Sequence, residues 1–400
     1  MDQQTIDKVL SQEVQQYIRD HENDDVKALV LKHKLILDIP ASVIADQISG
    51  RQKAKEKIPA FYDSSVIYPP GINLEQSSSE HTATFKAKIL MRALTACKRL
   101  IDLTGGFGVD SFFLSKVFKS VQYVEPNQGL SEIVKRNHTS LGAFNIAHHN
   151  STAENFLAEE DYASAIYIDP SRRSETKKVF AFADCEPNIT VLQDLIFKYT
   201  DFLLVKASPM LDIKQGMSEL NFVQQVFVVS VDDEVKELLF LCRKDFAGEA
   251  LINAINLVKD TSESFVFKFS EEVSATSQFS DPKNYLYEPF SSILKAGAFK
   301  SIANEYRLEK IQVNTHLYTS TDLIHNFPGR IFKVLSEVKP DKKEVLKFFP
   351  DSKANVITRN YPLSVDELKK KTGLKDGGDK YLLAFSGQTK KFVLAAERIK

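Results

Sequence analysis

The chain has 400 residues, 43% of them hydrophobic, a length that predicts two to four domains. No stretch approaches the roughly 20 consecutive apolar residues of a spanning helix, and the first residues do not read as a secretory signal. We therefore expect a cytoplasmic protein without a membrane partner. The net charge is −1, but residues 331–400 carry 16 Lys+Arg against 9 Asp+Glu, a net of +7. Such a basic segment is either a polyanion contact or a solvated lysine face.

The cysteines give no sign of a metal site. Cys97, Cys185 and Cys242 are far apart and lack metal-ligand spacing. An odd, sparse count fits a reducing cytoplasm. We expect free thiols and no metal.

Residues 1–75 are predicted to form a helical N-terminal domain. Apolar residues recur there at helical spacing, Pro40 suits a helix start, and Ser49-Gly50 suits a stop. The connector Tyr68-Pro-Pro-Gly71 cannot be regular helix.

A serine-rich segment, Gln76-Ser-Ser-Ser-Glu80, precedes the next predicted helix, over 82–94. Serines are favourable helix caps. Because this helix leads directly into the strand at 99–104, the segment either only caps the helix or also lies against a ligand of the turn that follows.

From residue 99 to about 243, strands and helices alternate with short loops. This alternation predicts a largely parallel sheet covered by helices on both faces. The last two strands, near 222–230 and 235–242, are joined by only four residues, 231–234. A parallel crossover needs more, so the last strand should run antiparallel.

The first strand of this series runs into a glycine turn, Asp102-Leu-Thr-Gly-Gly-Phe-Gly-Val-Asp110. Glycines let the backbone turn sharply and pass close to a ligand, and the amides at the start of the next helix point into the same space. Taken alone, the turn fits a plain strand-to-helix bend as well as a nucleotide site.

Acidic residues at later strand ends favour the nucleotide site. Ligands of open α/β sheets bind at the carboxyl ends of the strands, where Glu125 and Asp169 fall. Glu125 follows the turn by about 20 residues, the position of an acid that binds both ribose hydroxyls. The third glycine of a dinucleotide fingerprint is missing, and Asp102 and Asp110 would repel a pyrophosphate. A sulfonium ligand with an amino group would be attracted, so electrostatics favour S-adenosylmethionine over NAD.

At this point the chain resembles class I S-adenosylmethionine-dependent methyltransferases, through the segments 102–110, Val124-Glu-Pro-Asn127 and Ile168-Asp-Pro-Ser-Arg-Arg173. The resemblance implies an α/β, Rossmann-like seven-stranded sheet and S-adenosylmethionine as cofactor. It also implies a set of cofactor-binding residues: Asp102, Thr104, Gly105, Gly106, Phe107, Gly108, Asp110, Glu125, Asn127, Thr152 and Ala153. The last two depart from the family, which often has an acidic residue there.

The segment after the fourth strand bears on the substrate. Family members that methylate an exocyclic amine carry Asp/Asn-Pro-Pro-aromatic, in which oxygens accept the amine hydrogens and orient its lone pair. This chain keeps Asp169-Pro170, which the resemblance implies as the catalytic pair, but has Ser171 and Arg172 in the next two positions. Amine methylation is therefore one possibility among base methylations.

Three basic residues near the same rim are candidates for substrate binding: Arg172, Arg173 and Lys206. The arginines could bind a phosphate or stack on a base, and salt bridges to Glu175 or Asp184 explain them equally well.

The whole layout resembles a bacterial family of proposed RNA methyltransferases with a C-terminal THUMP-like domain. The carrying segments are Gln76–Glu80, Tyr287-Glu-Pro-Phe290, Lys295-Ala-Gly-Ala298, Arg359-Asn-Tyr-Pro-Leu363 and Lys375-Asp-Gly-Gly-Asp379. The resemblance implies a helical domain over 1–75, a methyltransferase domain over 76–245, a ferredoxin-like α+β unit over 246–328 and a THUMP-like domain over 329–400. THUMP domains bind RNA, so RNA is the implied partner.

Two alternatives remain open. The protein could methylate a small molecule, with its additional domains shaping the pocket. It could also bind RNA without catalysis, through a degenerate methyltransferase domain, although a dead site need not keep Asp169-Pro170 at the right strand end.

Overall fold

The computed structural model describes residues 1–69, 74, 76–158, 161–172, 181–259 and 261–400, with Arg172 described by its backbone alone. The chain forms two compact units, one of residues 1–224 with 238–248 and one of residues 225–237 with 249–400. Among the described helices, none combines the length and apolar character needed to cross a membrane.

The first unit begins with a helical region and a small hairpin: α1 (Gln3–Val9), α2 (Gln12–Asp20), α3 (Val26–Lys32), β1 (Leu35–Ile36), β2 (Ile39–Pro40) and α4 (Ala41–Lys57). The predicted helix stop at Ser49-Gly50 is wrong, because α4 continues to Lys57. Gly50 serves packing instead: a Cβ there would lie 2.2 Å from Cγ of Tyr68.

The next part of the chain, which runs from the first unit into the second and back, alternates strands and helices as predicted. After a short 3-10 helix over Pro59–Phe61 come α5 (Glu80–Ala93), β3 (Arg99–Asp102), α6 (Val109–Ser115), β4 (Ser120–Val124), α7 (Gln128–Ser140), β5 (Ile146–His149), α8 (Ala153–Leu157), β6 (Ala165–Ile168), β7 (Ser171–Arg172), β8 (Cys185–Glu186), α9 (Ile189–Tyr199), β9 (Phe202–Ala207), α10 (Ile213–Glu219), β10 (Val223–Val231) and β11 (Glu234–Arg243).

The strand order confirms the Rossmann-like methyltransferase sheet. Seven strands lie in the order β5-β4-β3-β6-β9-β11-β10, and among the described residues β12 (Leu251–Val258) and β13 (Thr261–Phe267) extend this sheet beyond β10. Strands β5, β4, β3, β6 and β9 are parallel to one another. Strand β11 pairs with β9 antiparallel, as its short connection to β10 predicts.

The register brings the candidate site residues to one edge of the sheet. Asp102 pairs with Tyr123 on one side and with Tyr167 on the other. Glu125 and Asp169 follow these two tyrosines by two residues each. Because the three strands are parallel, all three carboxylates lie where the strands end.

The second unit continues with α11 (Phe269–Ser274), β14 (Tyr285–Pro289), α12 (Ser291–Ala296), α13 (Ser301–Glu305), β15 (Glu309–Gln312), β16 (Thr315–Ser320), β17 (Gly329–Glu337), α14 (Lys342–Leu346), β18 (Asn355–Arg359), α15 (Val365–Thr372), β19 (Lys380–Ser386) and β20 (Lys391–Arg398). Strands β14 to β20 form one sheet in the order β15-β16-β14-β17-β20-β19-β18. The four-domain division stays a prediction, and its boundary at 328/329 falls between strands that share this sheet.

The helical stretch that follows β14 is interrupted at Gly297, which has a φ of +80° and ends α12. Strands β15 and β16 form an antiparallel hairpin. Strand β12 was not predicted from the sequence.

A buried carboxylate ties three strands of the second unit together. Glu288 on β14 is 3% exposed. One of its oxygens accepts from Nη2 of Arg330 on β17 and the other from Nε of Arg359 on β18, each at 2.5 Å. The Glu288 side chain is buried and that of Arg330 is only 25% exposed, so removing either partner leaves a desolvated or partly desolvated charge unpaired.

Replacing Glu288 by Gln should therefore destabilise the second unit. The two guanidinium groups lose their shared anion, and we expect the free energy of unfolding to fall by about 2–3 kcal/mol in urea denaturation followed by circular dichroism. The matched control is Glu309→Gln, which breaks the partly exposed pair with Lys283 and should cost less than about 1 kcal/mol. Equal losses in the two variants would contradict this role for Glu288.

Candidate functional site

The glycine turn has a backbone that other residues adopt only with strain. Gly106 and Gly108 have φ angles of +52° and +78°, in the left-handed region that favours glycine. Gly105 is fixed by packing instead, because a Cβ there would lie 2.2 Å from the ring of Tyr123. At Gly106, by contrast, only the Thr104 carbonyl oxygen would come within 4 Å, at 3.9 Å. The turn is thus closely packed on one side and open at Gly106.

Strand β4 and the residues after it hold this turn. The hydroxyl of Tyr123 donates to the Gly106 carbonyl at 2.6 Å. The Glu125 carboxylate accepts from the amide of Gly106 at 3.1 Å and from the amide of Asn127 at 2.9 Å. Asn127 in turn caps α7 by accepting from the amide of Leu130. Glu125 and Gly106 are therefore in direct contact, as a ribose site next to the turn requires.

A histidine pair supports the far end of the turn. His138 Nε2 donates to the Gly108 carbonyl at 2.9 Å, so its Nδ1 accepts from His148 Nε2 at 3.0 Å. Burial lowers the pKa of His138 to about 4 and, together with the neighbouring His138, that of His148 to about 3. Both are neutral at physiological pH and serve packing.

Asp102 is 1% exposed and bonded within the protein. It accepts from the Ser111 hydroxyl at 2.6 Å and from the Thr104 amide at 3.1 Å. Burial raises the pKa of Asp102 to about 7, with the charges of Asp110 and Asp169 adding to the effect. Asp102 therefore has almost no exposed surface for direct contact with a ligand.

Asp110, in the first turn of α6, lies in a network that includes the serine-rich segment. Its Oδ2 accepts from the hydroxyls of Ser78 at 2.8 Å and Tyr167 at 2.9 Å. Its Oδ1 lies 3.3 Å from Nζ of Lys86, a fully buried lysine on α5. Burial acts to raise the pKa of Asp110, but Lys86 and then Lys206 outweigh it and hold the pKa below its usual value.

Asp169 lies beside Thr104 and Lys206. The Thr104 hydroxyl accepts from the Asp169 amide at 2.6 Å, which fixes the end of β6 against the start of the turn. Lys206 Nζ contacts Oδ2 of Asp169 at 2.5 Å, and about a third of the Asp169 side chain is exposed. Asp169 and Lys206 thus form an ion pair that solvent or a substrate can reach.

The remaining candidates are less closely connected. The Thr152 hydroxyl caps α8 and Ala153 is buried behind it. The Phe107 ring is buried among aromatic side chains, so its backbone is what faces the turn. Arg173 and the side chain of Arg172 lie outside the described residues.

Sequence reasoning missed four residues of the site: Lys86, Tyr123, His138 and Tyr167. Lys86, Tyr123 and Tyr167 lie among apolar residues of a helix or strand, where periodicity assigns them to the core. His138 lies in a polar stretch at the end of α7 and carries no such signal. A lysine on the buried face of α5 was the one available signal, because a buried lysine needs a charged partner.

Family models match two C-terminal segments. A model described as a ferredoxin-like domain matches residues 285–328, and one described as THUMP domain-like matches residues 329–398. No curated protein sequence matches the chain.

Several solved structures are similar to this chain. The crystal structure of a proposed methyltransferase from Porphyromonas gingivalis W83 is 30% identical, covers 100% of both chains and has a TM-score of 0.86. An rRNA methylase from Streptococcus thermophilus is 14% identical over 42% of this chain and 99% of its own, with a TM-score of 0.31. A proposed methyltransferase from Streptococcus mutans in complex with SAH is 12% identical over 39% and 94%, with a TM-score of 0.30. Of these three likenesses, the first is strong enough to assign a family.

The raised pKa of Asp102 predicts a pH-dependent stability. Between about pH 4 and pH 7 the folded protein holds a proton on Asp102 that the unfolded chain releases, so this contribution to stability is lost as the pH rises. The His138–His148 pair acts in the opposite sense. Below about pH 6.5 these histidines bind protons in the unfolded chain but not in the folded protein, so stability falls as the pH falls. As the pH rises from 4 to 7, the free energy of unfolding of Asp102→Asn should increase by on the order of 3 kcal/mol relative to that of wild type.

Urea unfolding of wild type and Asp102→Asn at intervals between pH 4 and 8 measures this difference. The exposed Asp194 supplies the control variant, Asp194→Asn. If the Asp102→Asn curve runs parallel to wild type, as the control should, the carboxyl of Asp102 does not titrate in this range.

Proposed function

The chain belongs to the family of methyltransferases with ferredoxin-like and THUMP-like C-terminal domains, and on this premise we propose that it transfers a methyl group from S-adenosylmethionine to a base in RNA. The observation that carries the proposal is the contact between Glu125 and the amide of Gly106. It joins a ribose-binding acid to a glycine turn at the carboxyl edge of the sheet.

The residues of this edge fit the cofactor. Each Glu125 oxygen accepts one backbone amide and keeps a second lone pair for a ribose hydroxyl. The open side of Gly106 allows close approach of a ligand to the backbone. Lys86 and Lys206 pair with Asp110 and Asp169, so Asp102 leaves this edge with a negative charge when it is ionised, which favours a cationic methionine portion over a pyrophosphate.

Methyl transfer needs few protein groups. The cofactor supplies an activated methyl group, which an amine or other nucleophile of the base attacks directly. For an exocyclic amine, Asp169 would accept an amine hydrogen and orient the lone pair, with the Pro170 segment placing the base. Lys206 contacts Oδ2 of Asp169, so the other oxygen is the proposed acceptor.

The basic C-terminal segment supports RNA as the substrate. Lysines 342 and 343 on α14 and lysines 370 and 371 on α15 are exposed. The two helices lie close together. Gly373 directly follows α15, and a Cβ added to it would lie 3.2 Å from the Lys342 side chain. We call these four residues the α14–α15 lysine group. Clustered lysines bind the phosphate backbone of nucleic acids without sequence preference.

Binding of S-adenosylmethionine by calorimetry is the first test. The wild-type protein should bind S-adenosylmethionine and not NAD. Glu125→Ala should weaken binding about tenfold to a hundredfold, because it removes charged hydrogen bonds to the ribose. Glu132→Ala, an exposed glutamate on α7, is the control and should bind like wild type. Undiminished affinity in Glu125→Ala would exclude the proposed ribose site.

Transfer of a labelled methyl group into total RNA tests the reaction itself. We expect transfer by wild type and roughly a hundredfold loss or more in Asp169→Ala, measured at saturating cofactor. Label in small molecules instead of RNA would indicate a small-molecule methyltransferase. RNA binding without transfer would indicate a non-catalytic protein. Either result contradicts the proposed reaction.

The α14–α15 lysine group makes a separate prediction for RNA affinity. Changing its four lysines to serine should weaken binding and make the dependence of log K on log salt less steep, by about 0.7 for each phosphate that the variant no longer neutralises. The control changes four exposed N-terminal lysines to serine: Lys8, Lys27, Lys32 and Lys34. We substitute the lysines rather than remove residues 331–400, because β17 to β20 form one sheet with β14 and their removal would disrupt it. Equally weakened binding in both variants would mean that charge alone, not this surface, drives the association.

A further inference from the structure

The glycine turn contains one aromatic side chain, and it points into the N-terminal helical region. Phe107 lies between Gly106 and Gly108 and is 5% exposed. Its ring centroid lies 5.4 Å from that of Phe61 and 6.0 Å from that of Tyr68. The segment that follows α4 therefore supplies the apolar site in which the turn is anchored.

That segment is itself fixed by two buried amide side chains. Gln47 on α4 exchanges two hydrogen bonds with the backbone of Tyr68, at 2.7 and 2.9 Å. Asn137 on α7 does the same with Ile67, at 2.9 Å each. Paired backbone groups of this kind define the position of an irregular segment. Residues 67 and 68 are thus clamped between the N-terminal helix and the helix that follows Glu125.

The ring of Tyr68 connects α4 with the side chain of Phe107. It lies directly over Gly50, where a Cβ would be 2.2 Å from its Cγ. Its hydroxyl donates to the carbonyl of Phe61 at 2.8 Å. Phe61 also packs edge-on against Phe112 of α6, at 5.3 Å. The position of this ring thus depends on the absence of a side chain at residue 50.

We propose that α4 and residues 58–69 form a support for the glycine turn, in which Gly50, Phe61 and Tyr68 are positioning residues. Phe61 and Tyr68 contact the turn through Phe107, so we expect all three residues to act on a ligand by way of this side chain. A turn with two left-handed glycines has little intrinsic preference for one conformation. Burial of Phe107 restricts it before a ligand arrives, and preorganisation of this kind increases affinity.

The test uses Gly50→Ala in the full chain. Alanine favours a helix over glycine, so a loss cannot come from helix propensity. The added methyl must displace the Tyr68 ring and, with it, Phe107. In the ligand-free protein we expect hydrogen exchange at the amides of Gly106 and Gly108 to quicken about tenfold or more, because local opening of the turn becomes easier.

Gly216→Ala is the matched control. Gly216 is also a helical glycine facing an aromatic ring, since a Cβ there would lie 2.6 Å from Cζ of Phe240, but its neighbours are not those of the glycine turn. It should leave exchange at Gly106 and Gly108 at the wild-type rate. Equal exchange in the two variants would overturn the support. If Gly50→Ala does not fold, Phe61→Leu, which removes a ring from Phe107 and keeps an apolar side chain, is measured in the same way.

The consequence for affinity rests on the proposed function and is measured separately. The dissociation constant for S-adenosylmethionine should rise about tenfold in Gly50→Ala and stay unchanged in Gly216→Ala. Failure of wild type to bind the cofactor would refute the proposed function, while exchange would still decide whether the support exists. Faster exchange with an unchanged dissociation constant would overturn the positioning role.

Discussion

The contact between Tyr123 and the glycine turn is the constraint on which the rest of the site depends. The ring occupies the space that a side chain at residue 105 would need, and the hydroxyl binds the carbonyl of Gly106. Residues two apart on a strand point to the same face, so Glu125, which follows Tyr123 by two, is directed to the same turn. A single strand thus fixes both the shape of the turn and the distance to the acid that contacts it.

The rest of the turn is enclosed by partners of different chemical kinds. His138 is neutral and binds the Gly108 carbonyl, whereas Phe107 is held by apolar contact with Phe61 and Tyr68. These contacts come from α7 and from the N-terminal region, so elements far apart in sequence define a few residues of backbone. The side left open is that of Gly106, and a ligand that contacts the turn must approach it there.

The sequence predicted the alternating sheet well because strands that are apolar throughout, separated by helices with one apolar face, are a strong signal. It also predicted that the acids that follow these strands lie at one edge of the sheet, because the carboxyl ends of parallel strands meet there. It could not predict that Gly50 lies within a helix, because the reason is a ring 18 positions later in the chain. For the same reason Lys86 and Tyr167 were assigned to the core: only the folded chain brings them to Asp110.

The charges of the site explain why one of its carboxylates is protonated so readily. Asp110 and Asp169 each have a lysine within 3.3 Å, Lys86 and Lys206. Among the described residues, Asp102 is bonded by a hydroxyl and an amide instead, and burial raises its pKa to about 7. A cationic ligand at this edge would supply the missing charge and favour the ionised form. The two lysines balance two of the carboxylates, and the third is balanced either by a proton or by the ligand.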